Sequence, residues 1–171
     1  MVVEEKLASV SCDFLTWLWF TTEKEMGSID LGESLGRIDF WVDERLAFRS
    51  QADDKPIAVM TGENPSTTLE ARAALAGGKV LRDLRIGLRI AEREYTVTLR
   101  GPLLDMASAK VPPDEASGGE AIYDRMYFYE ELHSLIQGLF RVFSSQRTSE
   151  EWSTDILPAM RAWIRGGEAE I

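Results

Sequence analysis

Glu130 and His133 stand three residues apart in the run YEELHSL, the spacing by which a carboxylate and an imidazole on one helical face share a metal ion. A carboxylate-bridged di-metal bundle needs a second such motif on another helix, and His133 is the chain's only histidine. The pair therefore reads as the border of a helix between core and solvent. Cys12 is the only cysteine, with no histidine near it in sequence to activate a thiolate, so it reads as a small buried residue of a helix. The glycines of GSIDLGESLG and ALAGGK do not follow a strand and open a helix in a phosphate-binding pattern, which argues against a nucleotide site. Carboxylates are abundant, at 29 Asp and Glu, and solvated surface is the default for each. No enzymatic activity, cofactor or metal is expected.

The cations are distributed more informatively. Segment 79–101 carries Lys79, Arg82, Arg85, Arg89, Arg93 and Arg100 against Asp83, Glu92 and Glu94, a net-positive stretch in a chain of net charge −10. Its apolar residues alternate with polar ones on both sides of position 92, the mark of a hairpin with one buried face. A turn at Glu92-Arg93 pairs Ile90 with Tyr95, Leu88 with Val97 and Ile86 with Leu99. That register sets Arg85 opposite Arg100 on the outer face, with Arg89 beside Thr96. Like charges directly across a strand pair cost up to about 1 kcal/mol, so something must compensate them. Either acids of this chain or a phosphate backbone crossing the sheet would do so.

The elements that position this hairpin follow from period and punctuation. Ser11 or Asp13 caps a helix over DFLTWLWFTTEKE, in which Phe14, Trp17 and Leu18 share one face, Leu15 and Trp19 a second, and Phe20 lies on a third. A helix apolar nearly all round is a buried one, and its aromatics have no cation before Lys24, so Phe14, Trp17, Trp19 and Phe20 are core or a subunit interface. RIDFWVDERLAFRS alternates with a turn near Asp43-Glu44 and reads as a hairpin; PIAVMTG reads as a further strand. PSTTLEARAALAGG reads as a short helix capped by Ser66 or Thr67 and stopped by Gly77-Gly78. KVPPDEASGGE, near 110–120, is a flexible loop. Ile122, Met126, Tyr129, Leu132, Ile136, Phe140 and Phe143 mark one long amphipathic helix. Ser149 begins another, with Trp152, Ile156, Met160, Trp163 and Ile164 inward and Pro158 as a kink. The 171 residues suit one domain. Its predicted class is α+β: an antiparallel sheet of five to six strands packed against an N-terminal aromatic helix and two C-terminal helices.

At this point DFLTWLWF and RIDFWVDERLAF resemble the C-terminal portion of the RdgC-like recombination-associated proteins, in the subgroup opening with a Phe-Leu-Thr-Trp-Leu-Trp signature. EARAALAGGKVLRDLRIGLRIAEREYTVTLRG is similar to that family's Ala-rich helix and following strands. AIYDRMYFYEELHSLIQGLFRVF and PAMRAWI are similar to its closing helices, so the resemblance runs from Asp13 to Ile164. It implies a non-enzymatic, ring-shaped dimer that encloses duplex DNA without sequence preference and moderates a recombinase partner. It assigns the phosphate contacts to Lys79, Arg82, Arg85, Arg89 and Arg100.

Two functions stay open. The first is a DNA-binding recombination accessory domain, nucleoid-associated, whose arginine face is open to solvent. The second is an acidic protein-interaction or oligomerisation module, whose arginine face is masked by acids. Self-association is expected in either case, from long closing helices and five tryptophans. The lone cysteine suits a reducing cytoplasm, the N-terminus lacks the pattern of a secretory signal, and no apolar run approaches the ~20 residues of a membrane span.

Overall fold

The alternating segments assemble as predicted into an antiparallel sheet. A computed structural model describes residues 2–24, 27–50, 53–61, 69–101, 103–113 and 120–166. The strands are β1 (Ser28–Asp30), β2 (Arg37–Ser50), β3 (Asp53–Thr61), β4 (Val80–Ile90), β5 (Arg93–Arg100) and β6 (Asp105–Lys110). Their order is β1-β2-β4-β5-β6, with β3 also on β2. Strand β2 is the long central member. One of its edges carries β1 along Arg37–Asp39 and β3 along Arg45–Ser50, and the other carries β4.

The turn expected at Asp43-Glu44 is absent, and β2 runs straight through it. Ile38, Phe40, Val42, Leu46 and Phe48 all fall on even positions, so one unbroken strand buries them on one face without a reversal. The interruption is instead a bulge. Val42 faces Ile86 while Leu46 faces Leu84, so β2 spends extra residues there against β4.

Helix α1 spans Val2–Lys24, starting well before the caps expected at Ser11 or Asp13. The preceding VVEEKLAS contains no glycine or proline and several good helix formers, so nothing stops the helix from extending. Gly27 has φ +67° and ends this region, and a Cβ there would overlap the Phe40 carbonyl. As anticipated, the aromatic stretch of α1 is buried on all sides: Phe14, Leu15, Trp17, Leu18, Trp19 and Phe20 are at most 2% exposed. It lies against β2 and β4 on one side and against α3 (Glu120–Arg147) and α4 (Leu157–Ile164) on the other. Helix α2 (Leu69–Ala76) is the short helix expected there, though its Ser66 or Thr67 cap lies outside the described residues.

Ring contacts carry this packing. Phe14 meets Phe140 at 5.1 Å and Phe143 at 5.3 Å, while Trp19 meets Phe48 of the sheet at 6.3 Å and Trp163 of α4 at 4.8 Å. Each buried indole has a hydrogen-bond partner: Trp17 donates to Gln146, and Trp19 and Trp163 both donate to the Glu23 carboxylate. Before α4, Trp152–Ile156 form a π-helical turn. Pro158, near the start of α4, has no N–H and its ring would crowd the carbonyl of residue 154, which suits a widened ladder at this point.

The inward stripe predicted along α3 holds only from Leu132 onward. Ile122, Met126 and Tyr129 are exposed. Most of the segment expected to form a flexible loop, residues 114–119, lies outside the described residues.

Trp17 has its indole N–H paired and its rings packed on Phe14 and Phe143. Trp17→Ala should therefore lower unfolding free energy by about 3–5 kcal/mol. Chemical denaturation checks this, and an unchanged midpoint would contradict the central place of α1.

Candidate functional site

The β4–β5 hairpin turns one residue earlier than its alternation suggests, which shifts the pairing by two. Ala91 takes φ +53°, the turn is Ala91-Glu92, and Ile90 pairs with Arg93. Leu88 then faces Tyr95, Ile86 faces Val97 and Leu84 faces Leu99. The apolar face survives because a shift of two preserves parity. The outer face changes entirely. Arg85 faces Thr98, not Arg100, and the predicted like-charge contact does not exist.

Each outer arginine instead sits among acids. Across the sheet, Arg89 lies between Asp39 and Glu94, and Arg100 lies between Asp83 and Asp105. Arg89 donates to the Glu94 carboxylate. Arg85 donates from Nε to Asp43 at 2.9 Å, and its remaining nitrogens approach Thr98 Oγ1 and the Ser108 carbonyl; its side chain is only 12% exposed. Three cations thus stand among five carboxylates, and the same face carries Lys110, paired with Thr96, and Arg37, two residues before Asp39, so both signs are interspersed across it. Between the rows, Trp41 lies across Gly87, where any Cβ would overlap its indole, and the Arg89 guanidinium covers the ring at 5.5 Å.

The other two cations assigned to DNA are elsewhere. Arg82 is the extra residue of a β4 irregularity, with its Nε 3.8 Å from Asp83. Lys79 lines a cleft beside Cys12 among the helices. The five cations assigned as phosphate contacts therefore do not form one surface. His133 and Glu130 are both exposed on α3, with His133 Nε2 3.5 Å from Gln137 Nε2. Among the described residues, no group of three or more His, Cys, Asp or Glu is placed to hold a metal. No helix among them is long and apolar enough to cross a membrane.

The most organised polar cluster was not anticipated. Glu131 of α3 accepts two hydrogen bonds from Arg93, at 2.9 and 2.8 Å, and one from the Tyr95 hydroxyl; Tyr127 approaches at 3.4 Å. Burial alone would raise the Glu131 carboxyl, but the hydrogen bonds from Arg93 and Tyr95 outweigh it and hold the group below the usual carboxylate value. Burial, and then donation to an ionised carboxylate, push the Tyr95 phenol well above its ordinary value. A carboxylate on the same helical face as Phe128, Leu132 and Leu135 was the available sequence signal, since a charge there requires partners.

Beyond this anchor, toward its N-terminus, α3 keeps only light contacts with the body, through Phe128 on Tyr95 and through Arg125 and Tyr129, which line a cleft with residues 109–113. Ile122, Tyr123, Met126, Tyr127 and Tyr129 are 46–74% exposed on successive turns. They form an apolar, aromatic helix surface, with Asp124, Arg125 and Glu130 interspersed.

No protein-family model, curated protein or solved structure matches the chain.

The Glu131 cluster makes a two-sided pH prediction. A depressed carboxyl contributes stability above its unfolded value near 4.5, and this is lost as pH falls through the lower folded value. The stability difference between wild type and Glu131→Gln, about 1–2 kcal/mol at neutral pH with Arg93 partly solvated, should therefore shrink under acid. On the alkaline side, phenolate absorbance should show one of the four tyrosines still protonated well above pH 10. Tyr95→Phe should remove that late step. A late step that persists in Tyr95→Phe would contradict the assignment.

Proposed function

We propose that this chain is a non-enzymatic, acidic interaction module that self-associates through the free half of α3. The observation that carries the reading is the run of five large exposed side chains from Ile122 to Tyr129. Three are tyrosines, which bury much area at low entropic cost and are enriched in protein contacts. Asp124, Arg125 and Glu130 give the patch both signs of charge, so its local field is far milder than the chain's −10. The acid-flanked arginines support the same reading, because carboxylates beside them weaken the attraction of that face for phosphate.

A second reading rests on the resemblance to RdgC-like proteins: sequence-independent enclosure of duplex DNA by a dimer, with a protein partner in recombination. Arg89 and Arg100 remain solvent-accessible and favour it. The two readings respond to salt in opposite directions. Copies of like net charge repel at long range, so self-association strengthens as salt screens them. Phosphate binding weakens with salt, by a slope of about −0.9 per contact.

Sedimentation or light scattering at high micromolar concentration should show a dimer that strengthens between low and physiological salt. Tyr123→Glu with Met126→Glu should give a monomer with an unchanged thermal transition. A wild-type monomer throughout would overturn the proposal. A gel shift of duplex DNA near 20 mM salt that salt then abolishes would favour the second reading.

A further inference from the structure

We propose that the cleft between α1, α2, the π-helical turn and α4 is a binding site for a single-tailed amphipathic anion, a carboxylate on an acyl or aryl tail. The cleft has a volume of about 410 Å³, within the range of small-molecule sites. Its walls divide by chemistry. Trp152, Leu157 and Met160 supply apolar surface, and Lys79, Arg147 and Arg161 supply cations. Asp13 is its one carboxylate, and it is engaged by Arg147. The cleft therefore carries a surplus of positive charge in a chain of net charge −10.

The cations differ in role. Arg147 is held in the wall by Asp13 and by the rings of Phe143 and Trp152, each 5.8 Å from its guanidinium. Lys79 and Arg161 have no carboxylate within 4.0 Å among the described residues, so their charge is free to meet a ligand head group. The π-helical turn begins at Trp152, one of the cleft's apolar walls, and such widened turns recur at functional sites. The chain's one thiol, Cys12, also lines the cleft and gives the site a built-in reporter.

Sodium dodecanoate is the probe, followed by calorimetry and by the rate of Cys12 alkylation. Saturable 1:1 binding that slows alkylation is expected. Dodecanol, which keeps the tail and lacks the charge, should bind about tenfold more weakly or worse. Lys79→Gln with Arg161→Gln changes only half-buried and exposed side chains, keeps the fold by circular dichroism, and should weaken dodecanoate by about tenfold or more. Tyr123→Glu with Met126→Glu, on the free half of α3, should leave dodecanoate binding unchanged. The proposal is overturned if dodecanoate does not bind, if the double glutamine variant binds equally well, or if the α3 variant abolishes binding. The last outcome would place the probe on the exposed aromatic patch.

Discussion

A helix without a polar face has to be wrapped, and the wrapping of α1 dictates most of this architecture. From Phe14 to Phe20 its side chains point in every direction, so a sheet alone would leave half of them in water. The sheet takes Trp19 through Phe48, the C-terminal half of α3 takes Phe14 and Trp17, and α4 takes Trp19 and Phe20 through Trp163. The indole N–H groups would be costly in such a core without acceptors. Glu23, one turn beyond Trp19 on the same helix, serves two of them at once, and Gln146 at the end of α3 serves the third. Closing helices that follow the sheet in the chain are therefore needed to complete the burial of a helix that precedes it.

The second constraint is the charge on the outer sheet face. A half-covered sheet must fill its solvent side with polar residues, and here they alternate in sign across the strands as well as along them. Glu94 holds Arg89, Asp43 and the Ser108 carbonyl hold Arg85, and Arg100 stands in register between Asp83 and Asp105. Trp41 lies across the glycine gap at position 87 and protects β4 where no side chain could. The net-positive segment thus meets acids contributed by its own strands and by β2 and β6.

How legible this was depends on which physical signal governed each feature. Parity survives a register error of two, so the buried faces of β2, β4 and β5 could be read although the hairpin turn lies one residue from its expected place. The partners of Arg85, Arg89 and Arg100 could not, because charge pairing depends on absolute register. That register was set by Ala91, a residue with no preference for its positive φ. The bulge in β2 was misread as a turn because Asp43-Glu44 suits either. The Glu131 cluster was hidden because its three members come from two elements brought together only by folding. In α3, the apolar period marked a face correctly but could not say where the helix leaves its support.

That departure also relates the candidate surfaces to one another. Helix α3 advances about 1.5 Å per residue, so Tyr123 on the exposed patch and Arg147 in the cleft wall are roughly 36 Å apart along one rod. Glu131 clamps the rod to the β4–β5 hairpin between them, and Phe140 and Phe143 fasten its far half to α1. Sites at that distance with no shared partner are energetically independent unless the element joining them has two arrangements. The clamp is made of titratable groups, and so is the Arg147–Asp13 pair at the cleft end, but there the ring packing on α1 holds the helix as well. The packing on α1 holds the cleft end, so release of Arg93 and Tyr95 would free the patch end of the helix and leave the cleft in place. The physical asymmetry is between an apolar anchor, insensitive to pH, and a polar one that acid weakens.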